Sequence, residues 1–295
     1  MTTTEFKGTK KGGTVDSNQR SVQTFSMKTG ACTLTVSENG GRITHFSANA
    51  KNILVDAGIQ TGSTFWPSPQ SLWQWPPPVE LDEAPYELVE HSPERICLRS
   101  PVESQLGIQV TKVFSPIANG FNVAYVIANV LGDIVSMAPW EISRVSGGLS
   151  FYRAATPPEA HSTCDAVFAE GCYWYEYKVD GLTGIPKLFA NNSAGWLAYV
   201  EGNQLLVKTF PTITPEEVAP GEGEVEIYGH ADVNNPYVEI EQQGPFRAIM
   251  PGMRLIWAVD WRIFELPEGV SVALGSRDLV EFVESEVLRE ALQAI

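Results

Sequence analysis

Residues 121–130 read FNVAYVIANV, and the reading of this stretch decides the fold. It is rich in β-branched and aromatic residues, and apolar side chains fall on both parities. That suits a strand buried on both faces. Working outward, 86–91, 95–100 and 108–115 alternate apolar with polar residues, with Ser92-Pro93 and Gly107 as punctuation. Further upstream, 42–46 and 52–55 form a short hairpin, and 26–36 (SMKTGACTLTV) alternates around turn residues. Downstream the same pattern returns at 174–179, 195–200, 204–210, 224–228, 237–242 and 254–264. Helical spacing enters only near the end. There Ser276 caps a helix through Ala294, with Leu279, Phe282, Val283, Val287 and Leu288 on one face.

So many strands without crossover helices specify an all-β fold, a large antiparallel sandwich bigger than an immunoglobulin domain. The 25 glycines and 20 prolines fall mostly between the strands. No composition shift divides the chain. The expected organisation is a disordered N-terminal arm over 1–21, one β-sandwich over 22–270, and a helix over 271–295. That helix either packs on the sandwich or makes a homodimer contact.

Composition excludes several classes. Of 295 residues, 43% are apolar and 10% aromatic, ample for a large core. The longest apolar runs are far short of the roughly 20 residues that span a bilayer. With 20 basic against 35 acidic residues, the net charge of −15 repels phosphate backbones and anionic lipid. Neither nucleic acid nor membrane is an expected partner; a small neutral or cationic molecule is. Residues 1–20 have no apolar segment of a secretory signal, so a cytoplasmic protein is expected. Cys32, Cys97, Cys164 and Cys172 are scattered, as buried thiols are, without the spacing of a zinc site. His230 and Asp232 are too few to hold a metal. Phosphate loops and G-x-S-x-G elbows are absent, and no metal or cofactor is expected.

Three segments carry candidate chemistry. Residues 62–78, GSTFWPSPQSLWQWPPP, hold three of the eight tryptophans and five prolines. Proline fixes φ and withholds a ladder donor, so this reads as a stiff, irregular loop whose flat indoles suit stacking on a sugar ring. In 138–144, APWEISR, a strand would send Trp140 and Glu141 to opposite faces. In 237–247, YVEIEQQGPFR, Glu239 and Glu241 share one face, where mutual repulsion and desolvation raise a carboxyl pKa toward the range of a general acid or base. Such charges equally suit a solvated edge strand. His161 lies in a polar insertion over 154–171, a lid or a solvated loop.

Several of these stretches together resemble one family. GGRITHF (40–46) with KNILVD (51–56) is similar to the opening hairpin of galactose-mutarotase-like, or aldose 1-epimerase-like, proteins. The 62–78 loop resembles that of a bacterial branch of this superfamily known as a domain of unknown function. APWEISR, GWLAYV (195–200), LLVKTF (205–210), YVEIEQQGPF (237–246) and PGMRLIWAVDWRIFELP (251–267) continue the likeness, which covers about 30–267. It implies a supersandwich whose concave face binds carbohydrate. In the aldose mutarotases a glutamate near the C-terminus removes the anomeric hydroxyl proton and a histidine protonates the ring oxygen. The glutamate's strand corresponds to YVEIEQ, which makes Glu241 the candidate base and Glu239 the second choice. The stretch that should hold the histidine, 128–144, has none; Trp140 and Glu141 stand there, and Glu141 becomes the candidate acid, with His45 and His161 as alternatives. Phe65-Trp66-Pro67 replaces the family's sugar-binding arginine.

The sequence therefore points to a carbohydrate-active protein with a tryptophan-lined cleft for a mono- or oligosaccharide. As an enzyme it would be an aldose 1-epimerase-like isomerase, with Glu241, Glu141 and Glu239 as its carboxylates. Trp66, Trp73, Trp75 and Trp140 would stack on the sugar, and Gln70, Arg42 and His161 would contact its hydroxyls. The rival readings are a non-catalytic sugar-binding protein and a glycoside hydrolase or lyase. Without a visible basic patch, strongly anionic ligands are disfavoured.

Overall fold

The computed structural model describes residues 21–293, apart from 57–59, 155 and 193. The arm expected over 1–21 lies, except for Ser21, outside them. Two ten-stranded antiparallel sheets face each other. The first runs β1 (Thr24–Thr29), β2 (Cys32–Ser37), β3 (Ile43–Ala48), β5 (Ser63–Ser68), β10 (Val135–Val145), β18 (Val238–Gln243), β17 (Val225–Gly229) and β14 (Lys187–Ala190). Here β4 (Lys51–Asn52) pairs with β3, and β19 (Arg247–Ile249) with β10. The second runs β12 (Val167–Ala169), β13 (Cys172–Glu176), β11 (Leu149–Arg153), β15 (Trp196–Glu201), β16 (Gln204–Thr209), β20 (Arg254–Glu265), β9 (Gly120–Asn129), β8 (Ile108–Ile117), β7 (Arg95–Arg99) and β6 (Glu87–Ser92).

Period-2 alternation sorts the side chains into layers. Leu34, Phe46, Phe65, Val110, Phe114, Phe121, Ile227, Ile240 and Trp261 fill the space between the sheets. A second apolar layer lies outside the second sheet, where Leu279, Val280 and Val283 of the C-terminal helix α2 (Arg277–Gln293) cover Phe151, Trp174, Trp196 and Val207. Ser276 begins that helix, its Oγ accepting from the Leu279 N–H at 3.3 Å. A third, small cluster of Trp66, Trp73, Trp140 and Ile142 lies outside the first sheet. All four cysteines are free thiols, three of them buried. Among the described residues, no helix is long and apolar enough to cross a membrane.

Two local expectations need correction. The 62–78 segment is not irregular throughout: Ser63–Ser68 is a wholly buried strand between β3 and β10. Its Pro67 faces Pro139 across the ladder, so the missing N–H groups fall at one level and the pairing survives. Irregular backbone begins at Pro69, with a 3-10 turn over Gln70–Leu72 and a short helix α1 over Val79–Asp82. Strand β9 is not buried on both faces. Its Ala124, Val126 and Ala128 are half-exposed on the outer side, and small side chains there made the alternation hard to see.

Candidate functional site

The site is built on the outer face of the first sheet, where five strands bring alternate residues together. Strand β10 contributes Trp140, Ile142 and Arg144, paired in register with Gln243, Glu241 and Glu239 of β18. On the far side, β17 sets Glu226 against Glu241 and Tyr228 against Glu239, and β14 sets Lys187 against Tyr228 and Phe189 against Glu226. On the near side, β5 sets Trp66 opposite Trp140.

At the centre are two carboxylates and one ammonium. Lys187 Nζ lies 2.5 Å from Glu226 Oε2 and 3.3 Å from Glu241 Oε2, and 4.9 Å from the Trp140 ring centroid. Trp140 Nε1 donates to Glu241 Oε2 at 2.8 Å, while Glu241 Oε1 has no partner. Glu226 Oε1 accepts from the Gly223 N–H and from Gln243 Nε2. The side chains of Glu226 and Glu241 are 0% and 1% exposed. Burial raises the Glu226 carboxyl to about 8, with Lys187 opposing and Glu241 adding to the rise; burial raises Glu241 to about 7 against the same lysine, and Glu239 adds to that rise. Burial alone would lower Lys187, but its two carboxylate neighbours outweigh it and hold the ammonium above its ordinary value. One cation cannot neutralise two desolvated carboxylates, so the cluster shares a proton near neutral pH.

Beside this centre, Arg144 is fully buried, its Nε donating to Glu239 Oε1 at 2.8 Å and its guanidinium 5.5 Å from the Trp66 ring centroid. Nη1 and Nη2 have no partner. Trp66 Nε1, Thr64 Oγ1 and Arg42 Nη2 all donate to Asp82 Oδ1 at 2.7–2.9 Å. Burial pushes the Asp82 carboxyl up, but Arg42 and these hydrogen bonds hold it below the usual carboxylate range. Arg42 also lines a cleft of about 460 Å³ with Thr44, Gln60, Thr61 and Asp82.

The residues picked out from the sequence divide accordingly. Glu239, Glu241, Trp66 and Trp140 come together on this face, with the indoles of Trp73, Trp75 and Trp140 at 5.7, 6.0 and 5.6 Å from Trp66. The indoles do not form an open platform: Trp66 and Trp140 are buried, and Trp75 alone of the four is largely exposed, at 61%. Gln70 is tied down by its N–H, which donates to Glu222 Oε1 at 2.8 Å. His161 is exposed, its ring 4.5 Å from that of Phe189. The 154–171 insertion runs beside β14, the Glu159 and Thr163 N–H groups donating to the carbonyls of Phe189 and Lys187. His45 is engaged with Ser47 at 2.8 Å on β3.

Glu141 is the correction. It points between the sheets, where it accepts from Lys208 Nζ at 2.8 Å, from Tyr125 and Trp261 of the second sheet, and from Gln242. It occupies the opposite side of the sheet from Glu241, so the two cannot serve one ligand as an acid–base pair. The sequence reading missed Lys187, Glu226, Arg144 and Asp82. For Glu226 a signal existed, since Glu224 and Glu226 sit two apart in a strand segment just as Glu239 and Glu241 do. Among the described residues, no group of three or more His, Cys, Asp or Glu side chains could hold a metal ion.

Solved structures share this architecture. A putative aldose 1-epimerase from Escherichia coli K12 superposes with a TM-score of 0.58 at 13% identity, over 83% of this chain and 100% of its own. A galactose mutarotase-like protein from Lactobacillus casei ATCC 334 gives 0.61 at 9% identity, over 82% and 100%. A putative aldose 1-epimerase from Klebsiella pneumoniae gives 0.53 at 11%, over 88% and 80%. At such identities the likeness is one of fold. No curated protein matches the chain. The model of one family, a domain of unknown function (DUF4380), matches residues 68–264, and because these are more than half of the 295 residues, the chain belongs to that family.

Proposed function

We propose that the protein binds a mono- or oligosaccharide on the outer face of its first sheet and interconverts its anomers as an aldose 1-epimerase-like isomerase, with Glu241 as the base. The observation that carries this reading is the buried Glu226–Lys187–Glu241 cluster on a mutarotase-like fold, beside the indoles of Trp66, Trp140 and Trp75. A carboxylate raised toward neutrality is suited to take the anomeric hydroxyl proton. As that proton leaves, the bond between C1 and the ring oxygen breaks, C1 becomes a carbonyl carbon, and the ring oxygen receives a proton. Reclosure on the other face of the carbonyl gives the second anomer. With Glu141 on the wrong side of the sheet, the proton for the ring oxygen comes from the Lys187–Glu226 pair, which already shares one.

The near-complete burial of both carboxylates favours a second reading, a sugar-binding protein without turnover. One experiment separates them. The wild type and Glu241→Gln are challenged with free aldoses and short oligosaccharides, each followed by thermal shift and polarimetry. The isomerase reading expects a sugar that stabilises the protein and equilibrates faster, with about 10²–10⁴-fold of the rate lost in Glu241→Gln while stabilisation persists. Stabilisation without acceleration assigns binding alone, and new reducing ends from an oligosaccharide assign glycoside cleavage.

A further inference from the structure

Arg144 takes no part in the proton transfers proposed at Glu241, Lys187 and Glu226. Arg144 is fully buried, and neither Nη1 nor Nη2 has a partner. A desolvated guanidinium with its end fork unpaired is costly, and such groups are kept where something else completes them. Its setting restricts what that is. Glu239 engages Nε and the Trp66 ring centroid lies 5.5 Å from the guanidinium carbon, which leaves the edge between Nη1 and Nη2 as the one without a protein partner. That edge is a planar, two-pronged donor, which matches a carboxylate better than a single hydroxyl.

We propose that Arg144 determines the specificity of this site and that its Nη1–Nη2 fork takes the carboxylate of a sugar acid, a hexuronate monosaccharide. The inference rests on the sugar-site reading above and names its substrate class. Register supports it. Arg144 pairs with Glu239 and Ile142 pairs with Glu241, so the unpartnered fork and the unpartnered Glu241 Oε1 lie one diagonal step apart, about 7 Å between backbones. In a hexuronate the carboxylate-bearing carbon and the anomeric carbon flank the ring oxygen, so a ring held by its carboxylate at Arg144 brings its anomeric hydroxyl to Glu241. Charge supports it too. The face gathers Arg42, Arg144 and Lys187 against Asp82, Glu239, Glu226 and Glu241. With one proton shared between Glu226 and Glu241, three cations stand against three negative charges, so the face does not repel a monoanion. A phosphate dianion would place a second charge against Glu239. That local balance, rather than the net charge of −15, is what an anionic ligand meets on this face.

The test is direct binding to the full chain of D-glucuronate, D-galacturonate, D-glucose, D-galactose and glucose 6-phosphate, repeated with Arg144→Gln and Arg144→Lys. We expect one uronate to bind at least about tenfold more tightly than its neutral parent sugar. In Arg144→Gln that preference collapses toward a ratio of one. In Arg144→Lys, which keeps the charge but not the fork, it is partly lost. Equal wild-type affinity for uronate and parent sugar overturns the proposal even if neither variant folds, as does tighter binding of the sugar phosphate or a preference unchanged in Arg144→Gln. Wild-type binding of neutral sugars alone leaves the sugar-site reading standing; no binding of any of the five removes both.

Discussion

Trp140 and Glu141, neighbours on one strand, serve opposite sides of the same sheet. Trp140 Nε1 donates to Glu241 on the outer face at 2.8 Å, while Glu141 meets Lys208 at 2.8 Å between the sheets. The outer partnership belongs to a polar, proton-sharing face, whereas the inner one is a dry ion pair held by Tyr125, Gln242 and Trp261.

The inner pair is a matter of stability. Lys208 is fully buried, lies 3.9 Å from the Trp261 ring centroid, and is lowered from its ordinary value by burial, with Glu141 opposing. Lys208→Met leaves Glu141 uncompensated and is expected to cost about 3–5 kcal/mol in urea denaturation. The double variant Lys208→Met/Glu141→Gln should cost less than the two single changes added together. Where these variants fold, ligand stabilisation should persist. A cost below about 1 kcal/mol for Lys208→Met would contradict the ion pair.

The outer carboxylates make stability depend on pH. Glu224, Glu226 and Glu241 are raised from 4.5 to between about 7 and about 8, chiefly by burial. The folded state then holds protons that the unfolded chain releases, so their contribution is complete below pH 4.5 and is lost as pH rises through 7 to 8. Lys112, lowered to about 7 by burial, acts in the opposite sense and only above that pH. Thermal stability should therefore fall between pH 5 and 7, and Glu241→Gln should flatten that fall by about 1–3 kcal/mol. An identical slope in wild type and variant would show that Glu241 titrates normally.

The tryptophans should separate by burial. Trp75 is 61% exposed, and Trp75→Ala should leave stability within about 0.5 kcal/mol while weakening sugar binding by about 0.5–1.5 kcal/mol. Trp140 is 2% exposed, and Trp140→Ala should destabilise by about 3–5 kcal/mol. Urea titration and calorimetric binding on the same preparations make the comparison. Equal losses of stability in both variants would refute it.

The C-terminal helix is an integral cover of the second sheet. Leu279 is fully buried against the layer that includes Trp174 and Trp196. Leu279→Ala is expected to cost about 2–5 kcal/mol by urea denaturation, with the pH slope of the outer face unchanged.

Much of this was legible in the sequence because strand alternation is local. The parity of Glu239 and Glu241, and the opposite parities of Trp140 and Glu141, follow from position alone once the strands are assigned. The 62–78 segment misleads because its prolines argue against a strand, whereas Pro67 meets its counterpart Pro139 across the ladder. Arg144 and Asp82 gave no signal, since their importance lies in what they touch. Asp82 ends the four-residue helix α1 and reaches Trp66, Thr64 and Arg42 only through the folding of the loop.

An all-β sandwich, its closing helix and a carboxylate pair of one parity on β18 follow from the order of residues alone. Tertiary structure alone decided which strands became neighbours. Glu241 lies 101 residues from Trp140 and 54 from Lys187, and each is brought to it by strand pairing rather than by local preference. Period-2 geometry fixes which way a side chain points, but long-range pairing fixes what it meets. For that reason Glu241 shares its proton with Glu226 and Lys187, while Glu141, in a strand paired with its own, is sealed against Lys208 between the sheets.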